Sequence, residues 1–465
     1  MPKHIKLKSL ILLIVYIVVG LLLLVFLPTN LDRLLFNNYI FNIFSYVIMG
    51  ILFIYISNKN SLDIFDPFLF ISFIYITMFT IVPNYDIAMG ETLWFGTFLF
   101  DYGIKGSVIA LIGYFSICLG YTLQFKQRKN ITKSNDEKSV YNRNIVVVAS
   151  LILWLFCLGS SLSYLVLTGG MNLSYIFTLG LIGDANTLTS VTSSLGILSM
   201  FSYSLIPLSL IYNIYGKSKL IKTILFTATL MIQLIRGFRF IIIIFILAFG
   251  IIHYLRKGKR PSKKVLAVTF SVIVIFNGII GFYREDIRNG QEVQWEELSP
   301  TDFTEAILGN FRIYHSYYAV VKAVPESVPH TLGEQMIEYT IVMMIPRAIW
   351  DNKPSPPGMK AIEIGISKYA VQAGTAYPFI GEFYYEFGIT GVIVFSILFG
   401  VLFRKIKDKY LNNAKDDFDL LVFAIMVPTI LQLMIRGYTP SNFYLVLFLI
   451  VPIIVLKFIS KKRLR

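Results

Sequence analysis

The sequence Gln233-Leu-Ile-Arg-Gly-Phe-Arg239, followed at once by Phe240 and four isoleucines, joins two long apolar runs through a short cationic break. An apolar helix needs about 20 residues to cross a bilayer, and runs of that kind recur along the whole chain. Of the 465 residues, 56% are hydrophobic and only 15% are charged, whereas soluble domains carry about 25% charged residues. The sequence therefore predicts an all-α polytopic membrane protein.

Twelve apolar runs are predicted to be transmembrane helices of a single integral membrane domain, residues 1–465. The predicted spans are Ser9–Leu27, Tyr39–Ser57, Pro67–Val82, Ile104–Leu123, Ile145–Leu167, Leu195–Ile214, Leu220–Ile235, Phe238–Tyr254, Val265–Tyr283, Pro378–Phe403, Phe418–Ile435 and Asn442–Phe458. The first span follows a basic start but lacks a small-residue cleavage site, so we expect an uncleaved anchor.

Lysine and arginine are distributed unevenly between the two sides of this topology. Of the 42, 29 fall in the termini and in the alternate connections that share a side with them. Cytoplasmic connections carry such an excess, so both termini are expected in the cytoplasm. The net charge of +15 then reflects topology and contact with anionic lipid, and we expect no nucleic-acid partner. Cys118 and Cys157 fall inside predicted spans, which argues against a disulfide framework or metal cluster.

One outer connection, residues 284–377 between the ninth and tenth spans, is far longer than all others. Loops of this length usually carry function or secondary structure of their own. Helix-like patterns occupy Phe303–Val324 and Leu332–Met344, and a proline-rich stretch follows at Asp351–Gly358. We therefore expect short helices in this extracytoplasmic loop.

Arginine predominates among the 13 cations on the predicted outer side: Arg33, Arg236, Arg239, Arg284, Arg288, Arg312, Arg347 and Arg436. Arg236 and Arg436 end the seventh and eleventh spans in near-identical contexts, and Arg284 ends the ninth. Arginines at helix ends often extend to lipid phosphate, which is one interpretation. The other is a shared anionic site, because the planar guanidinium binds phosphate oxygens bidentately. Three arginines at one depth favour a site for a lipid-linked pyrophosphate. The glycines that follow two of them, Gly237 and Gly437, allow tight turns into the next span or a close approach of the backbone to a ligand.

Two carboxylates and a histidine are candidates for proton transfer on the same side. Glu382 and Glu386, at the outer end of the tenth span, are four residues apart and share a helix face. They are either paired with the arginines or, in the case of Glu382, placed as a general base. His315 is the other candidate base, since imidazole titrates near neutrality, although a lone loop histidine is more often structural. The identity of the base stays open at this point.

Several catalytic motifs are missing from the sequence. It contains no phosphate-binding loop of the Walker type, no His-Glu-x-x-His zinc pattern and no Gly-x-Ser-x-Gly nucleophile. We therefore expect chemistry without a nucleotide or metal cofactor, on a donor that arrives already activated. A membrane-borne diphosphate is such a donor.

The run Ile345-Pro-Arg-Ala-Ile-Trp-Asp-Asn-Lys-Pro354, together with Phe379-Ile-Gly-Glu382 and Phe387-Gly-Ile-Thr-Gly391, resembles the Wzy-type oligosaccharide repeat-unit polymerases of O-antigen, capsule and exopolysaccharide. The resemblance covers the architecture of the whole chain, with its motifs between Gln233 and Tyr438. It implies a GT-C-like glycosyltransferase in the bacterial cytoplasmic membrane with an outward-facing site. Its substrates would be undecaprenyl-pyrophosphate-linked oligosaccharides, with a flippase and a chain-length regulator as further partners.

The resemblance also implies roles for particular residues. Arg236, Arg284 and Arg436, with Arg239 beside them, would hold the pyrophosphates, and Arg347 and Lys353 would close over the donor. Glu382 would be a candidate base for the acceptor hydroxyl. Apart from the resemblance, we expect His315 and Arg284 to be catalytic and Glu386 to bind substrate. Two alternatives remain: an O-antigen-ligase-like glycosyltransferase would use the same arginines, whereas a transporter would place polar residues at mid-membrane.

Overall fold

The computed structural model describes residues 7–25, 27, 30–60, 62–123, 141–169, 185–236, 239–288, 304, 307–343, 345, 350, 352–354, 356–372, 375–412 and 417–461. Helices make up most of this part of the chain. The strands found in it are Leu93–Trp94 (β1) and Thr97–Phe98 (β2), which pair as an antiparallel hairpin. Because a helix satisfies its own backbone hydrogen bonds, it is the natural structure for apolar runs in lipid. The predicted all-α membrane class is confirmed.

The described residues before the long loop form these α-helices: α1 Leu7–Val25, α2 Arg33–Asn60, α3 Pro67–Ile76, α4 Val82–Met89, α5 Gly103–Thr122, α6 Arg143–Gly169, α7 Ala185–Tyr215, α8 Lys219–Ile235, α9 Arg239–Arg256 and α10 Lys263–Arg288. A π-helical turn, Thr77–Ile81, joins α3 to α4 just before Pro83, whose ring nitrogen cannot donate to the helical ladder. Gly90 ends α4 in the left-handed conformation, with φ of 79°.

In the second part of the chain, the described residues of the loop form the short helices α11 Tyr314–Ala323, α12 Glu334–Val342, α13 Met359–Gly365 and α14 Lys368–Gln372. The long helices α15 Phe379–Asn412, α16 Asp417–Ile435 and α17 Thr439–Ser460 follow. The helices α11 and α12 lie within the two helix-like runs of the sequence. The long helix α15 bends at Gly388, whose φ of 64° and ψ of −154° suit glycine and not a residue with a Cβ atom.

Eight helical segments in the described residues are long and apolar enough to cross a membrane: Arg33–Lys59, Pro67–Met89, Phe100–Thr122, Arg143–Leu167, Ile197–Tyr215, Phe379–Tyr410, Asp417–Ile435 and Thr439–Ser460. Ile14–Val25 and Phe240–Arg256 are shorter apolar helices. Each predicted span coincides largely with a helix, but the count of twelve crossings and the GT-C-like arrangement stay predictions.

The helices α5 and α15 cross with their backbones almost in contact. A Cβ atom on Gly120 would lie 2.1 Å from the carbonyl oxygen of Ile397, and one on Gly400 would lie 2.3 Å from that of Ile117. Helices in lipid associate through such close packing of small residues, since lipid tails are as apolar as the side chains. The crossing holds α15, which carries Glu382 and Glu386, against the first half of the chain.

Ion pairs join several connections at one end of the molecule, which we call the basic end: Arg260–Asp63, Lys407–Asp66, Arg256–Asp417 and Lys457–Asp419. The backbone N–H of Asn142 also donates to the carbonyl of Ser460 at 2.8 Å. These are the connections that the charge distribution places on one side of the membrane, and the structure brings them together. The opposite end, which carries α11–α14, is called the loop end. That the basic end faces the cytoplasm stays a prediction.

Candidate functional site

Arg236 and Arg436 directly follow α8 and α16, and the two helix ends are built alike. Each backbone N–H still donates to the carbonyl four residues back, at 3.1 Å to Ile232 and 3.0 Å to Gln432. The near-identical sequences around these arginines therefore form the same helix ending. In each case a guanidinium emerges from the last turn.

Tyr203 of α7 is a neighbour of both arginines. The guanidinium carbon of Arg236 lies 5.0 Å from the centroid of the Tyr203 ring, in a cation–π arrangement. The same tyrosine lies close enough to Arg436 to influence its pKa. The guanidinium of Arg436 in turn lies 5.7 Å from the ring of Phe240, at the start of α9. Two of the three arginines predicted to converge thus share a neighbour.

Arg436 is a half-buried cation whose Nε atom is fully buried, and it has no counter-charge in the described part of the chain. Burial lowers the pKa of its guanidinium from the usual value, and the proximity of Tyr203 opposes that shift. Its Nε is buried without a hydrogen-bond partner, and no carboxylate of the described residues forms an ion pair with it. A buried charge is expensive unless it is paired. An anionic ligand would supply the missing partner.

Gly437 lets the turn after Arg436 lie directly on the start of α15. Its N–H donates to the carbonyl of Tyr377 at 2.9 Å, and a Cβ atom in its place would lie 2.0 Å from both N and Cα of Phe379. The Nδ2 of Asn442 donates to the carbonyl of Arg436 at 2.5 Å. The sequence predicted a tight turn or a close approach of the backbone to a ligand here; the structure shows a tight turn packed against Tyr377 and Phe379.

Glu382 caps the first turn of α17. Its carboxylate is fully buried and accepts the backbone N–H of Thr439 at 2.9 and 3.0 Å and the Thr439 hydroxyl at 2.6 Å. A carboxylate at a helix N-terminus is favourable because the N–H groups and the helix dipole are positive there. Glu382 thereby restrains the Arg436–Gly437 turn through its hydrogen bonds to Thr439, which follows the turn. The hypothesis that it is a general base stays a prediction.

The substitution Glu382→Gln separates a capping role from proton transfer. Glutamine keeps an oxygen that accepts from Thr439, but it cannot take up a proton. We expect the glycan transfer that the sequence resemblance implies to fall by less than about tenfold, since the cap loses only charge assistance, roughly 1 kcal/mol. Thr439→Val, which removes one donor to the carboxylate, is the matched control. A loss of about 10²–10⁴-fold for Glu382→Gln alone would instead identify the general base.

Glu386, one helical turn further along α15, caps the loop helix α12. It accepts a hydrogen bond from the hydroxyl of Thr331 and another from the backbone N–H of Gly333 at 3.0 Å. Gly333 precedes α12 with φ of 90°, a conformation that glycine adopts without strain. The two glutamates predicted to share a helix face do so, and each of them holds the N-terminus of a different helix.

Lys353 holds the other end of α12. Its Nζ donates to the carbonyls of Met343 and Ile345 at 2.8 and 3.0 Å, and it lies 5.3 Å from the ring centroid of Tyr339. A cation at a helix C-terminus offsets the negative end of the helix dipole. Tyr339 also packs against Tyr438, with ring centroids 5.9 Å apart. Lys353 and Glu386 thus position α12 beside the turn that carries Arg436.

His315 belongs to a buried polar cluster that ties α11 to the end of α4. Asp86 accepts from Arg312 Nε at 3.0 and 3.2 Å and from the Tyr314 hydroxyl at 2.8 Å. His315 Nε2 lies 2.6 Å from the Tyr314 oxygen. Burial and the neighbouring Arg312 charge lower the pKa of His315 to about 3. A neutral imidazole of such low basicity is a weak proton acceptor at neutral pH. The hypothesis that His315 is a general base stays a prediction.

The remaining predicted site residues are less fully described. Arg284 lies near the end of α10 and Arg239 begins α9, but their side chains fall outside the described part of the structure. Arg347 lies outside the described residues altogether. Their proposed contacts with substrate therefore stay predictions.

Two residues of this region were not predicted from the sequence. Tyr203 lies in the middle of an apolar run, and nothing in its context distinguishes it from other membrane tyrosines. Asp86 had a detectable signal, because Val82-Pro-Asn-Tyr-Asp86 places a carboxylate at the predicted outer end of the third span. Ionisable residues at such positions are rare and usually paired.

Residues 9–463 match the family model described as O-antigen polysaccharide polymerase Wzy. Among curated proteins and solved structures, none matches the chain. The family match covers nearly the whole length and includes both Arg-Gly helix ends, the loop helices and the two capping glutamates. The resemblance found in the sequence motifs is thereby confirmed: the chain belongs to the O-antigen polysaccharide polymerase Wzy family.

Proposed function

We propose that this protein transfers a growing glycan from undecaprenyl pyrophosphate to a newly arrived lipid-linked repeat unit at the outer face of the cytoplasmic membrane. The observation that carries the proposal is the buried guanidinium of Arg436 beside Tyr203, which it shares with Arg236. A pyrophosphate provides the negative charge and the planar sets of oxygens that arginine binds best.

The proposed reaction breaks the bond between the anomeric carbon and the pyrophosphate oxygen and forms a bond from that carbon to an acceptor hydroxyl oxygen. The bonding electron pair leaves with the pyrophosphate, and the hydroxyl proton is released. Negative charge therefore grows on the leaving oxygen in the transition state. Fixed guanidinium groups stabilise that charge more than they stabilise the ground state, and their effect is larger where water is scarce. Arg284 is proposed as the third cation of this set.

Rigid placement of the cations is the second requirement of this mechanism. Glu382 caps α17 immediately after the Arg436 turn, and Gly437 packs that turn against Phe379. The loop helix α12, held by Glu386 and Lys353, lies beside the same turn. We propose that these contacts hold Arg436 in place so that little reorganisation is needed when charge develops.

The outward orientation follows from the distribution of basic residues. The basic end contains the connections richest in lysine and arginine, and such connections are retained in the cytoplasm. The loop end, with the arginine pair, would then face the side where nucleotide donors are absent and flipped lipid-linked units arrive. A flippase and a chain-length regulator are the proposed functional partners.

Reconstitution tests the proposed function directly. The purified full-length protein is placed in vesicles with lipid-linked repeat units extracted from cells that lack it. We expect a ladder of products on electrophoresis without added nucleotide or metal. Absence of a ladder with intact, correctly oriented protein would contradict the proposal. Accumulation of lipid-linked polymer, instead of single units, in the deficient cells would indicate a ligase.

A further inference from the structure

The hairpin β1–β2 places an indole ring against His315 at the loop end. Phe95 and Gly96, both with positive φ, form the turn, and Trp94 precedes them. The ring centroids of Trp94 and His315 are 4.8 Å apart. His315 is almost fully buried, whereas Trp94 is half-buried and borders the exposed tip of the hairpin.

The hydrogen bonds around Asp86 determine which nitrogen of His315 carries the proton. The hydroxyl of Tyr314 has one proton, and it donates that proton to Asp86, which also binds Arg312. The contact between Tyr314 and His315 Nε2 is therefore a donation from Nε2–H to the phenol oxygen. His315 is neutral, so the other ring nitrogen, Nδ1, bears a lone pair and acts only as an acceptor.

Two polar atoms of this pair are left without partners. Neither His315 Nδ1 nor Trp94 Nε1–H makes a hydrogen bond to any described residue, although both atoms are buried. One is an acceptor and the other a donor. The hydrogen bonds that Asp86 accepts from Arg312 and Tyr314 fasten α11 to α4. They do not involve the acceptor His315 Nδ1 or the donor Trp94 Nε1–H. Buried polar groups are normally satisfied, and the unsatisfied ones are often found where a ligand binds.

We propose that Trp94 and His315 bind a hydroxyl group of the saccharide substrate. A hydroxyl donates to Nδ1 and accepts from Nε1–H, so it satisfies both atoms, whereas a phosphate oxygen has no proton to give to Nδ1. The indole provides an apolar surface for the sugar ring. Asp86 and Tyr314 act as positioning residues, because they select the His315 tautomer. This inference rests on the proposed function and assigns the sugar to a place apart from the arginine pair.

The helix α11, which carries His315, packs against the start of α15. Tyr317, two residues after His315 on α11, contacts α15 there, since a Cβ atom on Gly381 would lie 3.3 Å from the Tyr317 ring. Gly381 directly precedes Glu382, which caps the helix after the Arg436 turn. The helix that carries His315 therefore rests on the segment that holds the arginine turn.

The test separates sugar binding from pyrophosphate binding. The probe is the free oligosaccharide that mild acid releases from the lipid-linked single units, and binding to the full-length protein is followed by ligand-detected NMR. Trp94→Phe keeps an aromatic ring and removes only the N–H donor. We expect it to weaken binding about five- to tenfold, the usual effect of one lost hydrogen bond. Trp154→Phe, which removes an indole N–H that donates to Thr229 inside the bundle at 3.0 Å, is the matched control and should bind as the wild type does.

Kinetics in the reconstituted system provide the second readout. We expect Trp94→Phe to raise KM for the lipid-linked units by a similar factor and to change kcat less. Wild-type oligosaccharide binding by Trp94→Phe, or no binding of the oligosaccharide by the wild type, would overturn the inference. Either result would leave the polymerase proposal intact if the wild type still forms a ladder.

Discussion

Replacement of Arg436 by glutamine is expected to slow polymer synthesis by about 10²–10³-fold, the usual effect of removing one group that stabilises a developing anion. The same substitution should leave the thermal stability of the protein unchanged or raise it. The guanidinium is buried beside Phe240 and Tyr203 without a carboxylate partner among the described residues, so a neutral amide removes an uncompensated charge. Loss of activity without loss of stability is characteristic of a residue kept for its ligand.

The measurement compares the initial rate of ladder formation with the unfolding temperature of the same purified sample. Arg436→Lys keeps the charge but loses the planar fork, and we expect most of the activity to be lost as well. Arg33→Gln is the matched control, because it removes an exposed arginine at the start of α2. A fall in unfolding temperature that parallels the fall in rate would show that Arg436 supports the fold, and it would remove the main support for the anion site.

Substitution of Gly437 by alanine is expected to destabilise the loop end by about 3 kcal/mol, the upper part of the usual range for overpacking. The added methyl group would lie 2.0 Å from N and Cα of Phe379, and these are backbone atoms at the start of α15 that cannot rotate away as a side-chain tip can. The hydrogen bond from Gly437 N–H to Tyr377 would also be strained. Because Arg436 is the preceding residue, polymer synthesis should fall together with stability.

A glycine inside the apolar helix α9 serves as the control for this variant. A Cβ atom on Gly250 in α9 would meet no atom within 4 Å, so Gly250→Ala should be neutral, or stabilising by up to about 1 kcal/mol. Thermal unfolding and ladder formation would be measured for both variants. Wild-type values for Gly437→Ala would mean that the turn lies far enough from Phe379 to accept a methyl group, which would contradict the 2.0 Å approach.

The sequence was sufficient to identify the helical class because the signal is local. Long apolar runs predicted the helices, and helix-like patterns within the loop predicted α11 and α12. The alternation of basic connections predicted which segments meet at one end, and the ion pairs Arg260–Asp63 and Lys407–Asp66 join such segments. Charge and hydropathy are properties of short windows, so they can be read without knowledge of the packing.

The candidate site was predicted only in part. Arg236 and Arg436 were singled out by their repeated context, and they do share Tyr203 as a neighbour. Glu382 was expected either to pair with an arginine or to act as a base, but its hydrogen bonds come from Thr439. The sequence contains no signal for this contact, since a carboxylate is attracted equally to a guanidinium and to the N-terminus of a helix.

By itself, the sequence determined that this chain is a helical membrane protein of the Wzy family, with a large loop and paired Arg-Gly helix ends. Only the tertiary structure decided which partner each polar group found. Asp86 binds Arg312 across 226 positions, and Glu382 binds Thr439 across 57. Such choices depend on which helix ends meet after the bundle has packed. Many pairs of polar groups could form the same kinds of hydrogen bond. The close helix crossing at Gly120 and Gly400 and the turn at Gly437 determine which of these groups lie near each other.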